Sequence, residues 1–288
     1  MDRTLLALHA HPDDESSKGA ATVARFADEG VRCVLVTATG GEAGDILNPA
    51  MDRPGVAENL TEIRRRELMD AASIIGYNRV EMLGYRDSGM PGSPDNSRSD
   101  AFVNAGFDEV LGRIVATVRE ERPGVVLGYD DHEWYPHPDH LRIHDLSLAV
   151  FEAAADPERF PDTGPPWEVA NLYAPVLTAR HMYRLHDAMV AAGLDSPFTR
   201  WTDNIPRNAD DDRKLVQVEV GAQLERARDA LRAHRTQVDP DGFWFQVPVE
   251  VVRAVYPYED FELLATRSSD AVEADGDLFA GADVPRLL

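Results

Sequence analysis

Apolar positions along the first 130 residues switch repeatedly between a spacing that suits strands and one that suits helices. Residues 4–9 and 33–37 are short, β-rich apolar runs. Between them lies "SSKGAATVARFADEG", whose helix formers run to Gly30, a good C-terminal stop. Leu60, Ile63, Leu68, Ala72 and Ile75 recur at helical spacing before the strand-like "RVEML", and Phe107, Val110, Leu111, Ile114, Val115 and Val118 do so before "GVVLGY". This alternation predicts an α/β fold: a Rossmann-like, mostly parallel sheet with helices on both faces and ligands outside the carboxyl ends of the strands. Past residue 155 the pattern weakens into Pro-rich "DPERFPDTGPPW", a helix near residues 181–193, the alternating "LVQVEV" and a helix from Gln223 to His234. The expected organisation is a core of residues 1–155, a C-terminal substrate-facing extension of residues 156–267 packed on it, and an acidic, irregular tail of residues 268–288.

Composition changes this picture in a few places. A chain of 288 residues that is 43% hydrophobic can bury a sizeable core. The net charge of −22 repels phosphate backbones, so nucleic acid is not the expected partner. "MDRTLL" does not read as a secretory leader, and no apolar run is long enough for a membrane span, so a cytoplasmic protein without a membrane partner is expected. The single cysteine, Cys33, lies in the apolar run "CVLV" and reads as a buried core thiol, which suits a reducing compartment. Only Lys18 and Lys214 are lysine among 29 basic residues. A generic surface cation in this chain is arginine, which singles out Lys18.

Two polar clusters follow predicted strands. "HAHPDDES" brings His11, Asp13, Asp14 and Glu15 to the end of the first, and "GYDDHEWYPHPDH" brings His137 and His140 past the fourth. Pro138 suits the first position of a helix, so the two imidazoles can leave its first turn on one side. Either cluster alone reads equally as helix-capping polarity. At equivalent ends of one parallel sheet they meet on one rim. Two imidazoles and a carboxylate suit a hydrolytic zinc site, where three protein ligands leave room for a water of lowered pKa.

"AHPDDE" followed by "HPDH" resembles the LmbE-like, or PIG-L, family of zinc-dependent N-acetylglucosaminyl deacetylases. "TGGEAGDILNPAMD", "IRRRE", "DSGMP", "YPHPDH", "LRAHRTQVDPDGFWFQVP" and "EDFEL" extend the resemblance to the branch that cleaves mycothiol S-conjugates. The resemblance implies that His11, Asp14 and His140 hold Zn²⁺, with Fe²⁺ as another candidate, while Asp13 is the general base. It gives His137 the task of stabilising the oxyanion or protonating the leaving amine, and Tyr135 that of assisting the oxyanion. It borders the sugar pockets with Glu42, Arg65 and Asp87, Arg64 and Arg66 remaining alternatives to Arg65 because helical phase near a terminus is uncertain by a residue or two. Lys18 is expected on the acyl side of the substrate, within reach of a carbonyl.

The implied reaction is hydrolysis of the amide joining cysteine to glucosamine in a small pseudo-disaccharide thiol conjugate, a detoxification step. The alternatives are deacetylation of N-acetylglucosaminyl-inositol and, in a different class, a non-catalytic module that binds sugar or metal. Homo-oligomerisation is left open. His140 and His144 form a rival i, i+4 ligand pair, His9 is assigned a packing or supporting role, and Phe243, Trp244 and Phe245 read as packing anchors before stacking platforms.

Overall fold

The computed structural model describes residues 3–131, 135–210, 212–268 and 276–282. Among them, seven strands form one sheet: β1 (Thr4–His9), β2 (Arg32–Thr39), β3 (Arg79–Tyr85), β4 (Val125–Leu127), β5 (Asn171–Val176), β6 (Leu215–Glu219) and β7 (Tyr258–Thr266). Their spatial order is β3-β2-β1-β4-β5-β7-β6. Strands β1 to β5 are parallel, whereas β7 is antiparallel to both β5 and β6. The described helices are α1 (Asp14–Ser17), α2 (Ala20–Asp28), α3 (Leu60–Ile75), α4 (Phe107–Glu121), α5 (Pro138–Ala153), α6 (Ala179–Ala191), α7 (Thr199–Thr202), α8 (Leu224–Ala233) and α9 (Val249–Val255).

The inner strands are continuous apolar runs because both of their faces are covered. Leu5, Ala7, Cys33 and Leu35 point to one side, against Phe26 of α2, Leu68 and Ile75 of α3 and Ala230 of α8. Leu6, Leu8, Val34 and Val36 point to the other, against Val110 and Ile114 of α4 and Ile143 and Leu146 of α5. Cys33 lies in the first of these layers, and burial pushes its thiol up to about 12. It is an inert core residue, as its apolar run suggests.

The chain steps outward from β1 through β2 to β3, then returns to the other side of β1 for β4. Strand order therefore reverses between β1 and β4, and a crevice opens outside their carboxyl ends. The segments that follow these two strands carry "HPDDES" and "HPDH".

Residues 156–267 contribute β5, β7 and β6 to the same sheet, so the sheet continues across residue 155. They also form a smaller apolar cluster of Met182, Leu185, Met189, Phe198, Ile205, Val247 and Tyr256. Phe243 packs on Phe198 and Trp201, whereas Trp244 is exposed. In the acidic tail, residues 276–282 are irregular in backbone, yet Leu278 and Phe279 are buried in the core and Asn171 donates to the carbonyls of Leu278 and Ala280. The apolar pair in "DLFAG" overrides the surrounding acidity. No described helix is long and apolar enough to cross a membrane.

Candidate metal centre

Three donor atoms meet in the β1/β4 crevice. His11 lies two residues beyond β1, Asp14 opens α1, and His140 lies in the first turn of α5; all three are buried. His11 Nδ1 is 3.3 Å from Asp14 Oδ2, His140 Nε2 is 3.4 Å from the same oxygen, and the two nitrogens are 3.3 Å apart. A small divalent ion with bonds of about 2.0–2.1 Å spaces its donors about 3.4 Å apart in a tetrahedron, so this triangle fits one face of such a site.

The surrounding groups prepare each donor. His11 Nε2 donates toward Asp139 Oδ2 at 3.2 Å and faces Asp87 Oδ1 at 3.5 Å, so Nδ1 is the nitrogen that an ion would take, in place of a proton. Burial opposes charge on His11, but these carboxylates and Asp14 hold its pKa well above the usual value. Burial drives His140 down to about 3, so its imidazole is neutral and able to ligate. Asp14 is buried too, yet Lys18 and His140 keep its carboxyl well below the ordinary range.

Asp13 sits between Pro12 and the start of α1 with φ of +117°, a left-handed conformation that a non-glycine residue adopts at a cost of about 1–3 kcal/mol. Contacts to its peptide and its carboxylate hold it there. Arg64 donates to the Pro12 carbonyl at 2.6 Å, the Gly41 carbonyl at 2.7 Å and Asp13 Oδ2 at 3.2 Å. Glu15 Oε2 accepts the Asp13 N–H at 2.9 Å. Burial raises the Asp13 pKa against the pull of Arg64, which favours proton uptake.

His137 is the N-cap of α5, its Nδ1 accepting the Asp139 N–H at 3.2 Å, with Pro138 next as the sequence suggests. Its Nε2 faces Asp87 Oδ1 at 3.8 Å and its ring lies 4.5 Å from that of His11, so the histidine caps the helix and lines the centre at once. Tyr135 is half exposed, with its ring 5.2 Å from that of His140. Asp87 is drawn into the cluster between His11 and His137, and its backbone N–H donates to Glu42 Oε2 at 2.9 Å.

Two residues expected to contact substrate have protein partners in the structure. Arg65 is exposed on α3 and paired with Glu62, as is Arg66; Arg64 is the buried member of the trio. Lys18 donates from Nζ to Asp14 Oδ1 at 2.8 Å and lies over the Tyr129 ring, so its ammonium engages one of the candidate donor carboxylates. The pairing follows from i, i+4 spacing at the chain's turn into α2. His144 does not join the donors: its Nδ1 meets the Tyr129 carbonyl at 2.7 Å. Asp139 and Glu15, both within the two motifs, and His234, far from either, are supporting residues that sequence reasoning did not assign.

His9 has the packed role expected of it, with Nδ1 3.0 Å from the Tyr129 hydroxyl. Burial pushes it down to about 4. An unfolded histidine protonates near pH 6.5, so the unfolded chain takes up a proton that the folded chain refuses. Stability is full above about pH 6.5 and falls as the pH drops toward 4, by up to about 3 kcal/mol from this residue. Denaturant melts at pH 7 and pH 4.5 should show His9→Gln losing less stability than the parent; equal losses would place the neutral form elsewhere.

A buried His–Asp–His donor face with a carboxylate beside it, at the strand-order reversal of an α/β sheet, suits metal-dependent hydrolysis. Residues 6–151 match the PIG-L (GlcNAc-PI de-N-acetylase) family model, and the chain belongs to that family. It is 40% identical to the mycothiol S-conjugate amidase of Streptomyces coelicolor, with 96% of each chain covered. It is also 39% identical to the 1D-myo-inositol 2-acetamido-2-deoxy-alpha-D-glucopyranoside deacetylase of Thermobispora bispora, over 100% of this chain and 96% of that one. Among solved structures, the N,N'-diacetylchitobiose deacetylase of Pyrococcus horikoshii shares the fold with a TM-score of 0.61 at 19% identity, covering 91% of this chain and 84% of that one.

Proposed function

We propose that this enzyme hydrolyses the amide between the cysteinyl carbonyl and the glucosamine nitrogen of mycothiol S-conjugates, releasing an N-acetylcysteine S-conjugate and glucosaminyl-inositol. The observation that carries the hydrolytic chemistry is the His11–Asp14–His140 triangle with Asp13 braced beside it. The likeness to the Streptomyces amidase over 96% of both chains supports the substrate. Zn²⁺ is our assignment for the ion, with Fe²⁺ second, because two imidazoles and one carboxylate suit a borderline cation. Bound there, it supplies Lewis-acid polarisation of the amide carbonyl and of a water.

The protein groups divide the remaining work. Asp13 takes the proton of the attacking water. His137, reached from α5 and steadied by Asp87, faces the developing oxyanion or returns a proton to the leaving nitrogen, and Tyr135 assists at the open side of the crevice. The acyl carbon gains the hydroxyl, the C–N bond breaks and the leaving nitrogen takes up the proton that Asp13 removed from the water, so no co-reactant besides water is needed. Glu42 and Asp87 border the sugar side.

Deacetylation of the acetamido-glucopyranosyl inositol is the second reading, favoured by the 39% identity to the Thermobispora deacetylase. Parallel assays on a mycothiol S-conjugate and on N-acetylglucosaminyl-inositol, with elemental analysis of the same sample, separate the two. A higher kcat/KM on the acetylated sugar would reverse our order.

Lys18 then has a different expected phenotype from that of an acyl-side contact, whose loss would weaken only the conjugate reaction, by about 1–3 kcal/mol. Because its ammonium holds Asp14 Oδ1, Lys18→Ala should weaken metal retention about 10- to 100-fold and slow both substrates together. Selective loss on the conjugate with normal metal content would return Lys18 to substrate recognition.

A further inference from the structure

Glu15 and His234 form a buried pair outside the donor triangle. Both side chains are fully shielded from solvent, and His234 comes from the end of α8, 219 positions along the chain. His234 Nε2 is 2.6 Å from Glu15 Oε1, while Glu15 Oε2 accepts the Asp13 N–H at 2.9 Å. The other ring nitrogen, Nδ1, makes no hydrogen bond among the described residues, so the polar contacts of His234 go to Glu15.

The segment carrying His234 is itself anchored. Thr236 donates from N and Oγ1 to Glu67 at 3.0 and 2.7 Å, and its carbonyl accepts the Leu47 N–H at 2.9 Å. A ring held by such a strap fixes the rotamer of Glu15. Glu15 in turn fixes the direction of the Asp13 N–H, while Arg64 holds the Asp13 carboxylate. The left-handed backbone of Asp13 thus has one restraint from α3 and one from the C-terminal extension.

We infer that His234 is a positioning residue for Asp13: through Glu15 it holds the Asp13 peptide in the conformation that aims its carboxylate at the attacking water. The inference rests on the hydrolytic reading with Asp13 as base. Without the ring, Glu15 Oε1 keeps only its contact with the Ser16 hydroxyl and is free to turn, and the Asp13 N–H loses its acceptor. The extension is then part of the catalytic assembly as well as a wall of the site.

The test compares metal-loaded His234→Leu and His234→Gln in steady-state assays on the conjugate, together with metal content and thermal melting. His234→Leu should keep its metal and its KM and lose about 10- to 100-fold in kcat, the scale of a small misplacement of a reacting group. His234→Gln, whose amide N–H can reach Glu15, should recover most of that loss. A lower Tm with kcat per metal-loaded site within about twofold of the parent would overturn the proposal. So would a glutamine variant as slow as the leucine one. If His234→Leu does not fold, Glu15→Gln and Glu15→Leu repeat the comparison, the first keeping an acceptor for the Asp13 N–H and the second none; equal kcat values overturn the proposal. A fast Asp13→Asn would remove the underlying reading instead, whereas a slow Asp13→Asn beside a fast His234→Leu removes only this inference.

Discussion

Asp13→Asn should keep its metal and turn over about 10²- to 10⁴-fold more slowly, while His140→Ala should lose metal and activity together. The two side chains stand in different relations to the donor triangle. His140 Nε2 closes two of its edges, at 3.3 and 3.4 Å, and is buried, so its loss opens the site. Asp13 contributes none of the three donor atoms; its carboxylate lies on Arg64 and is partly open to the crevice. Asparagine preserves the shape and can still accept from Arg64, but it cannot take a proton from water. Elemental analysis beside single-turnover rates reads both effects. Full metal in His140→Ala with an empty His144→Ala would transfer the ligand role to the i, i+4 pair, against the contact that turns His144 toward the Tyr129 carbonyl.

The meeting of the candidate donors was legible because each lies within a few residues of its neighbours in "HPDDE" or "HPDH", and because β1 and β4 are buried on both faces and read as unbroken apolar runs. Strands β5 and β7 were not. "NLYAPV" carries a proline and a buried asparagine, and "YEDFELLAT" intersperses acids whose roles are tertiary. Asp260, for instance, is buried and satisfied by Thr178 and Tyr256. No local spacing announces such pairings.

His234 belongs to the same class, since its meaning depends on a partner 219 positions away. Asp139 was hidden differently: it stands inside a quoted motif, but only the folded crevice shows that it orients His11 and accepts the Ser88 N–H at 3.0 Å. For Lys18 the bias against lysine pointed to a special task. The i, i+4 relation to Asp14 is the local signal for the ion pair that the structure shows.

Arg64 had a readable signal. Leu60, Arg64, Leu68 and Ala72 form one i, i+4 row, and all four are buried on α3, so the arginine replaces an apolar residue on the face that enters the core. Arg65 and Arg66 are rotated off that row and pair with Glu62 in solvent. Arg64→Leu should therefore strip donors from the buried carbonyls of Pro12 and Gly41, costing about 1–3 kcal/mol for each, and should slow turnover about 10- to 100-fold by freeing Asp13. Arg65→Ala should stay within about 0.5 kcal/mol of the parent. The glycine-rich turn gives an independent check on this division. A Cβ at Gly44 would collide with the Arg64 guanidinium, so Gly44→Ala in the parent should displace it and reproduce part of the Arg64→Leu defect. In the Arg64→Leu background that clash is gone, and the Gly44→Ala penalty should shrink by about 1 kcal/mol or more in a double-mutant cycle. Strict additivity, or an Arg65→Ala enzyme as slow as Arg64→Leu, would place the working arginine one position further along the helix.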